Sequence, residues 1–387
     1  MIFHIVFQVV PFIAALLLYR FFVVPAVRGV RARAIWLMAM LLPASKFVVF
    51  AAFGGNAFAP ELPEKLIWFW NWAYSGMMIL CAFAVSLRIL MWIGAKLLRT
   101  KPALGGRARL VWLAALPAVA WTLSLVGVWN GVKVPDVEEV ALEINGLPPE
   151  LDGYRIVQLS DVHASAAARA WRTAAIVERV NALDADLVCL TGDYADGLSR
   201  NQYANIEPMG ALKAKDGVYA VTGNHEFYYD TFGWIVRYNS MRNIRWLNND
   251  CASPRPGLVV GGVNDPVAGH FGFTVPDPDA AFASAADGAF RILLQHRPHV
   301  DYETLLGRKP SARVDLQLSG HTHGGVAPGM TLLVSLFNGG MVRGLYQADG
   351  GPGVHVSTGA GQWAGFPIRF LDDPTITLFT LRRGRGD

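Results

Sequence analysis

The stretch ADLVCLTGD, Ala185 to Asp193, decides the fold. Its apolar run has strand length and lacks polar alternation, so it reads as a strand buried on both faces. It ends on Gly192-Asp193, a polar pair at the carboxyl end. YRIVQLSD (Tyr154–Asp161) and GVYAVTGNH (Gly217–His225) share this form, and Trp171–Leu183 and Gln202–Lys215 between them carry helical spacing. Further strands are expected at Glu138–Gly146, Asn243–Leu247, Gly257–Val263, Phe290–Gln295, Val314–Ser319, Gly353–Thr358 and Thr375–Leu381. Strands alternating with helices, then strand-rich sequence, imply an α/β domain.

Polar residues gather at these strand ends. The clusters are Asp161-Val162-His163, Gly192-Asp193, Gly223-Asn224-His225-Glu226, His296 and Gly320-His321-Thr322-His323; they hold five of the nine histidines. Open α/β sheets collect ligands at the carboxyl ends of their strands. A single Gly-Asp pair is a common turn, but five clusters in succession are not explained by turns, which do not require imidazole. Imidazole with carboxylate suits divalent Mn, Fe or Zn, and the lack of clustered thiolates argues against a structural zinc knot. Asp193 is the candidate bridge between two ions, an arrangement that clamps both the attacking and the leaving oxygen in phosphoryl transfer. With no Gly-rich phosphate loop and no serine nucleophile elbow in the sequence, hydrolysis by water is the expected chemistry.

The ordered set SDVH, TGDY, TGNHE, QH and GHTHGG resembles the calcineurin-like metallophosphoesterase superfamily. The late segment VSTGAGQWAGFPIRF (Val356–Phe370) resembles that superfamily's bacterial membrane-associated phosphodiesterases. The resemblance implies a four-layer αββα sandwich from about residue 137 onward and two divalent ions. It implies that Asp161, His163 and His323 hold one ion, that Asn224, His296 and His321 hold the other, and that Asp193 bridges them. His225 would be catalytic, stabilising charge on the phosphoryl group or protonating the leaving oxygen, and Glu226 would orient it.

Composition divides the chain. Hydrophobic residues make up 53% and charged residues 17% of its 387 residues, and Met1–Asn130 contains only two carboxylates, Glu61 and Glu64. A bilayer crossing needs about 20 apolar residues, which Ile2–Tyr19, Ala34–Phe53, Leu66–Leu87 and Leu110–Trp129 supply. Residues 1–130 are therefore expected to form an all-α, four-helix transmembrane domain and residues 131–387 the α/β domain. A signal peptide fits less well, because Arg20 follows the first apolar run instead of preceding it. Arg20, Arg28, Arg31 and Arg33 in the first loop, with Arg88, Lys96, Arg99, Lys101, Arg107 and Arg109 in the third, mark the cytoplasmic side. A multi-pass inner-membrane protein with its α/β domain periplasmic or extracellular is expected. The net charge of +4 reflects these loops; the α/β domain has no basic stripe, so no long nucleic acid is expected as partner. The three cysteines form no CxxC, and a buried strand thiol at Cys189 is more ordinary than a bridge to Cys251.

The expected function is a membrane-anchored dimetal phosphohydrolase or phosphodiesterase acting on a phospholipid or lipid-linked headgroup. Nucleotide phosphodiesterase or nuclease chemistry, or an inert phosphoesterase domain serving as a sensor, are the alternatives. Two features stand outside this frame. Lys46, mid-span near Pro43, either serves a lipid phosphate or a polar pathway or else snorkels or caps carbonyls freed by Pro43. Met330–Gln347, apolar for a loop, is either a membrane-facing flap or, the more ordinary reading, a strand and turn packed on the sandwich.

Overall fold

The computed structural model describes residues 2–99, 106–327, 329–347, 353–370 and 372–384, so Lys101 lies outside the described residues. The chain divides into two compact units, Met1–Trp129 and Asn130–Asp387.

Among the described residues three helices are long and apolar enough to cross a membrane: Ile5–Ala26, Glu64–Leu97 and Gly106–Val132. The second expected span is not one straight helix. Val30–Ala44 and Lys46–Gly54 meet at 53°, giving three candidate spans, or four if the bent pair counts as one. Pro43 lacks the N–H that would continue the ladder, and at Ser45 the hydroxyl donates to the Leu42 carbonyl at 2.7 Å. Lys46 follows this break and is fully buried. Its ammonium lies 4.6, 5.4 and 4.9 Å from the ring centroids of Phe47, Phe50 and Tyr74, where ring quadrupoles attract a cation.

The second unit is built on two six-stranded sheets. Its strands are β1 (Asp136–Ile144), β2 (Arg155–Leu159), β3 (Leu187–Leu190), β4 (Val218–Ala220), β5 (Ile244–Trp246), β6 (Asp250–Arg255), β7 (Leu258–Gly262), β8 (Phe290–Leu294), β9 (Leu316–Ser319), β10 (Gly344–Gln347), β11 (Gly353–Val356) and β12 (Thr375–Arg383). One sheet runs β1-β12-β2-β3-β4-β5 and the other β10-β11-β9-β8-β7-β6. In the first, β2 to β5 are parallel; in the second, β7, β8, β9 and β11 are.

Side-chain alternation produces the layers. Ile156, Leu187, Cys189 and Val221 meet Leu258, Val260, Ile292, Leu294 and Leu318 in the core between the sheets. Their neighbours Val157, Val188 and Leu190 face outward onto Ile176, Val177, Val180, Ile206 and Trp234. Those residues come from the helices Ala170–Ala182, Ser199–Ile206 and Thr231–Ser240. On the far face of the second sheet, Val259 and Leu293 pack on Ala281 and Phe282, the end of a four-residue helix. The expected αββα layering is present, with a thin fourth layer. All three cysteines are free and buried.

The Met330–Gln347 segment departs from the packed-strand expectation. It forms a helix, Met330–Phe337, with no buried residue, and only then strand β10.

Candidate metal centre

Parallel pairing sends β2, β3, β4, β8 and β9 to one edge, and the polar clusters occupy the turns there. The turns interlock: the Asp161 N–H donates to the Gly192 carbonyl at 3.0 Å, and the Gly320 N–H to the His296 carbonyl at 2.8 Å. The Gln158 amide crosses between the sheets to the Ser319 carbonyl at 2.8 Å. Asp161, His163, Asp193, His321 and His323 all have positive φ, from 48° to 72°. Non-glycine residues reach this region at a cost of order 1–3 kcal/mol and persist where the surroundings hold them. Gly192 is also left-handed, at φ +95°, and a Cβ there would lie 2.6 Å from the Gly223 nitrogen. Gly223 in turn leaves room for the Asp193 carboxylate, which a Cβ would strike.

The expected ligands converge. Asp161, His163 and His323 present donor atoms within 4.8 Å of one another, as do Asp193, His296 and His321. Asn224 joins the second group through Oδ1, 3.2 Å from His296 Nε2. Asp193 Oδ2 stands between the groups, 3.8 Å from His163 Nε2 and 3.2 Å from His296 Nε2. His225 also approaches, with Nε2 3.9 Å from Asp193 Oδ2. With His163 and Asp193 it forms a third donor triad.

Tautomers test whether these donors suit cations. His296 Nδ1 lies 2.7 Å from the Thr191 carbonyl, which only accepts, so Nδ1 carries a proton. In a neutral ring Nε2 then aims its lone pair at Asn224 Oδ1 and Asp193 Oδ2. His163 repeats the pattern: Nδ1 lies 3.2 Å from both Asp196 oxygens, and Nε2 faces Asp193 Oδ2 at 3.8 Å. Acceptors facing acceptors are unfavourable unless positive charge sits between them. The donor set therefore fits divalent cations. In their absence protons take that role. Burial lowers the His296 pKa, but Asp193 and its hydrogen bond reverse this and raise it to about 10. Burial would raise Asp193, yet His296, His225 and His163 hold its carboxyl well below the usual range. His321 and His323 are pushed down, first by burial and then by neighbouring cations.

Glu226 differs from expectation. Its carboxylate accepts from the backbone N–H groups of Asp193, Tyr194 and Gly223 at 2.9, 2.9 and 2.7 Å. It braces the Asp193 turn, and it does not carry His225. The partner of His225 is Asp196, whose Oδ1 lies 2.5 Å from Nδ1. Burial would lower His225, but Asp193 and Asp196 raise it to about 9. Asp196 was not among the expected residues, and neither was Arg369. This buried guanidinium binds the carbonyls of Thr358, Gly359 and Gly361 and lies 3.1 Å from His323 Nδ1. Only Asp196's position three residues past Asp193 and Arg369's place in the FPIRF segment hinted at either.

Two facing sheets with histidines and carboxylates clustered at their carboxyl ends define an α/β protein built to hold metal. The chain belongs to the calcineurin-like phosphoesterase family, whose pattern matches residues 154–325. A transmembrane protein with a metallophosphoesterase domain from Danio rerio is 32% identical over 67% of this chain and 60% of its own length. An uncharacterized metallophosphoesterase from Helicobacter pylori is 32% identical over 66% of each chain. One from Aquifex aeolicus is 30% identical over 65% of this chain and 93% of its own. The chain thus spans less than two thirds of the first two relatives. The apolar helices and the transmembrane relatives together support membrane association.

Proposed function

We propose that this protein is a membrane-anchored dimetal phosphoester hydrolase acting on a lipid or lipid-linked headgroup at the outer face of the membrane. The observation that carries the reading is the convergence of Asp161, His163, Asn224, His296, His321 and His323 on Asp193, with the His163 and His296 Nε2 atoms turned toward its carboxylate. Asp161, His163 and His323 would hold one cation and Asn224, His296 and His321 a second, with Asp193 contributing to both. Cations bound there supply Lewis-acid charge to a phosphoryl group and lower the pKa of a water. His225, held by Asp196 through Nδ1, presents Nε2 as the donor to the leaving oxygen. Glu226 keeps the Asp193 turn in its strained conformation. The basic loops of the first unit support the outer-face assignment, and the apolar helices support a substrate confined to the bilayer surface.

Purified protein should hydrolyse an aryl phosphodiester or monoester with added Mn²⁺ and stop in chelator. Asp193→Ala should fall to background, while His225→Ala should turn over slowly and still bind metal. Inactivity across several divalent ions and substrate classes would refute the reading. Incubation with extracted membrane lipids identifies the substrate by the species that disappears.

A further inference from the structure

The helix Met330–Phe337 is amphipathic in the wrong sense for a water-facing surface. Leu332, Leu336 and Phe337 are 68%, 69% and 81% exposed, and Leu333 lies beside them. On the opposite face, Thr331, Val334 and Ser335 are half-buried and Asn338 is buried. A soluble helix turns its apolar stripe to the core; this one turns it outward. No Asp or Glu occurs from His323 to Gln347, and Arg343 is the sole Lys or Arg. The segment is therefore apolar, and its one cation, Arg343, is paired with Asp372.

Position within the second unit identifies what covers it. The chain enters this unit at Asn130–Val132, the last residues of the apolar helix Gly106–Val132, with only Lys133–Pro135 before β1. The Asn130 amide donates to the Arg369 carbonyl at 3.4 Å. The next residue, Phe370, donates its N–H to the Val326 carbonyl at 3.1 Å, four residues before the exposed helix begins. Lys133 pairs with Asp373 at 3.0 Å, and Arg343 pairs with Asp372. Residues 369, 370, 372 and 373 thus join the point of entry to the base of the helix. Through Arg369 Nη2 the same stretch reaches His323 Nδ1.

We propose that Met330–Phe337 is an interfacial helix whose apolar face lies in the headgroup region of a bilayer, beside the candidate metal centre. Such helices bury their apolar face about 5–10 Å into the headgroup boundary. The inference rests on reading the apolar helices as membrane spans; it does not depend on hydrolysis. For the proposed function it means that a lipid phosphoester reaches the centre without leaving the membrane surface.

The test uses the full chain with Leu336→Cys, labelled with a polarity-sensitive fluorophore and reconstituted into phosphatidylcholine–phosphatidylglycerol vesicles. The native thiols are buried, so the label reports the introduced one. Nitroxide lipids with shallow spin labels should quench this probe at least about twofold more than one at Lys213→Cys, an exposed site on the loop entering β4. Phe337→Cys gives an independent second position. Equal quenching at 336, 337 and 213 overturns the proposal. So does cross-linking of the Leu336→Cys thiol between two chains without lipid quenching, which would assign the face to a second copy. Strong quenching on a protein that hydrolyses nothing would defeat the function proposed above and leave this inference standing. An active enzyme with an unquenched probe would do the reverse.

Discussion

At the residue scale, Asp196 joins the candidate centre to His225. Its carboxylate serves His163 Nδ1 at 3.2 Å and His225 Nδ1 at 2.5 Å, the rings proposed as a metal ligand and as the proton donor. Burial would raise its pKa, but the two imidazoles hold it at about 2. Asp196→Asn preserves shape and removes the charge. It should lower metal affinity or turnover about 10–100-fold, the usual effect of losing a carboxylate behind a ligating histidine, as read by metal titration and kcat. A pH effect follows in chelator-treated protein. His225, raised from 6.5 to about 9, contributes stability that is fully present below pH 6.5 and lost as pH rises through about 9. Thermal melts should fall across that window, and Asp196→Asn should flatten the fall; a melting temperature independent of pH there would contradict the pairing. The ligands are legible in the sequence because each follows the end of an apolar strand. Asp196 is not, because a carboxylate in a polar loop looks the same whether or not an imidazole lies beneath it. Arg369 is hidden too: its partner His323 is 46 residues away, and no local spacing records that contact.

At the element scale, the site is a property of strand ends. Short buried strands deliver Asp161, Asp193 and the histidines to one edge, and left-handed turns aim them. Gly223 is where the β3 and β4 turns come closest, since a Cβ would collide with the Asp193 carboxylate and backbone. Gly223→Ala should therefore displace Asp193 and abolish metal-dependent activity while the α/β unit still folds, checked by metal content alongside circular dichroism. Normal metal content in that variant would show that the turns are not as tightly coupled as their packing indicates. Apolar runs expose the parallel strands in the sequence, but β6 escapes. Asp250–Arg255 reads DCASPR, an edge strand with a proline and a register shift between Ala252 and Arg255; edge strands tolerate both. Met330–Phe337 departs from its sequence expectation for a different reason. Its apolar side chains do not face a core, so the assumption that an apolar run is buried points to a packed strand that is not there.

At the scale of the whole molecule, the number of bilayer crossings turns on one bend. If Val30–Ala44 and Lys46–Gly54 form one bent span, Arg28, Arg31 and Arg33 lie on the same side as Arg88, Lys96 and Arg99. If that pair is re-entrant and returns to its own side, Glu64–Leu97 carries the second basic group to the opposite face. Positive residues collect on the cytoplasmic side, so the proposed topology requires the single bent span. Lys46 lies just past the break among the rings of Phe47, Phe50 and Tyr74. The prediction is read with a membrane-impermeant maleimide on intact cells, using one introduced cysteine at a time at the exposed positions 31, 61 and 200, because the native thiols are buried. Glu61→Cys and Arg200→Cys should label from outside, and Arg31→Cys only after permeabilisation. Labelling of Arg31→Cys and Glu61→Cys from the same side would make the bent pair re-entrant. Labelling of Arg200→Cys only after permeabilisation would place the α/β unit in the cytoplasm, and the lipids within its reach would then be those of the inner leaflet.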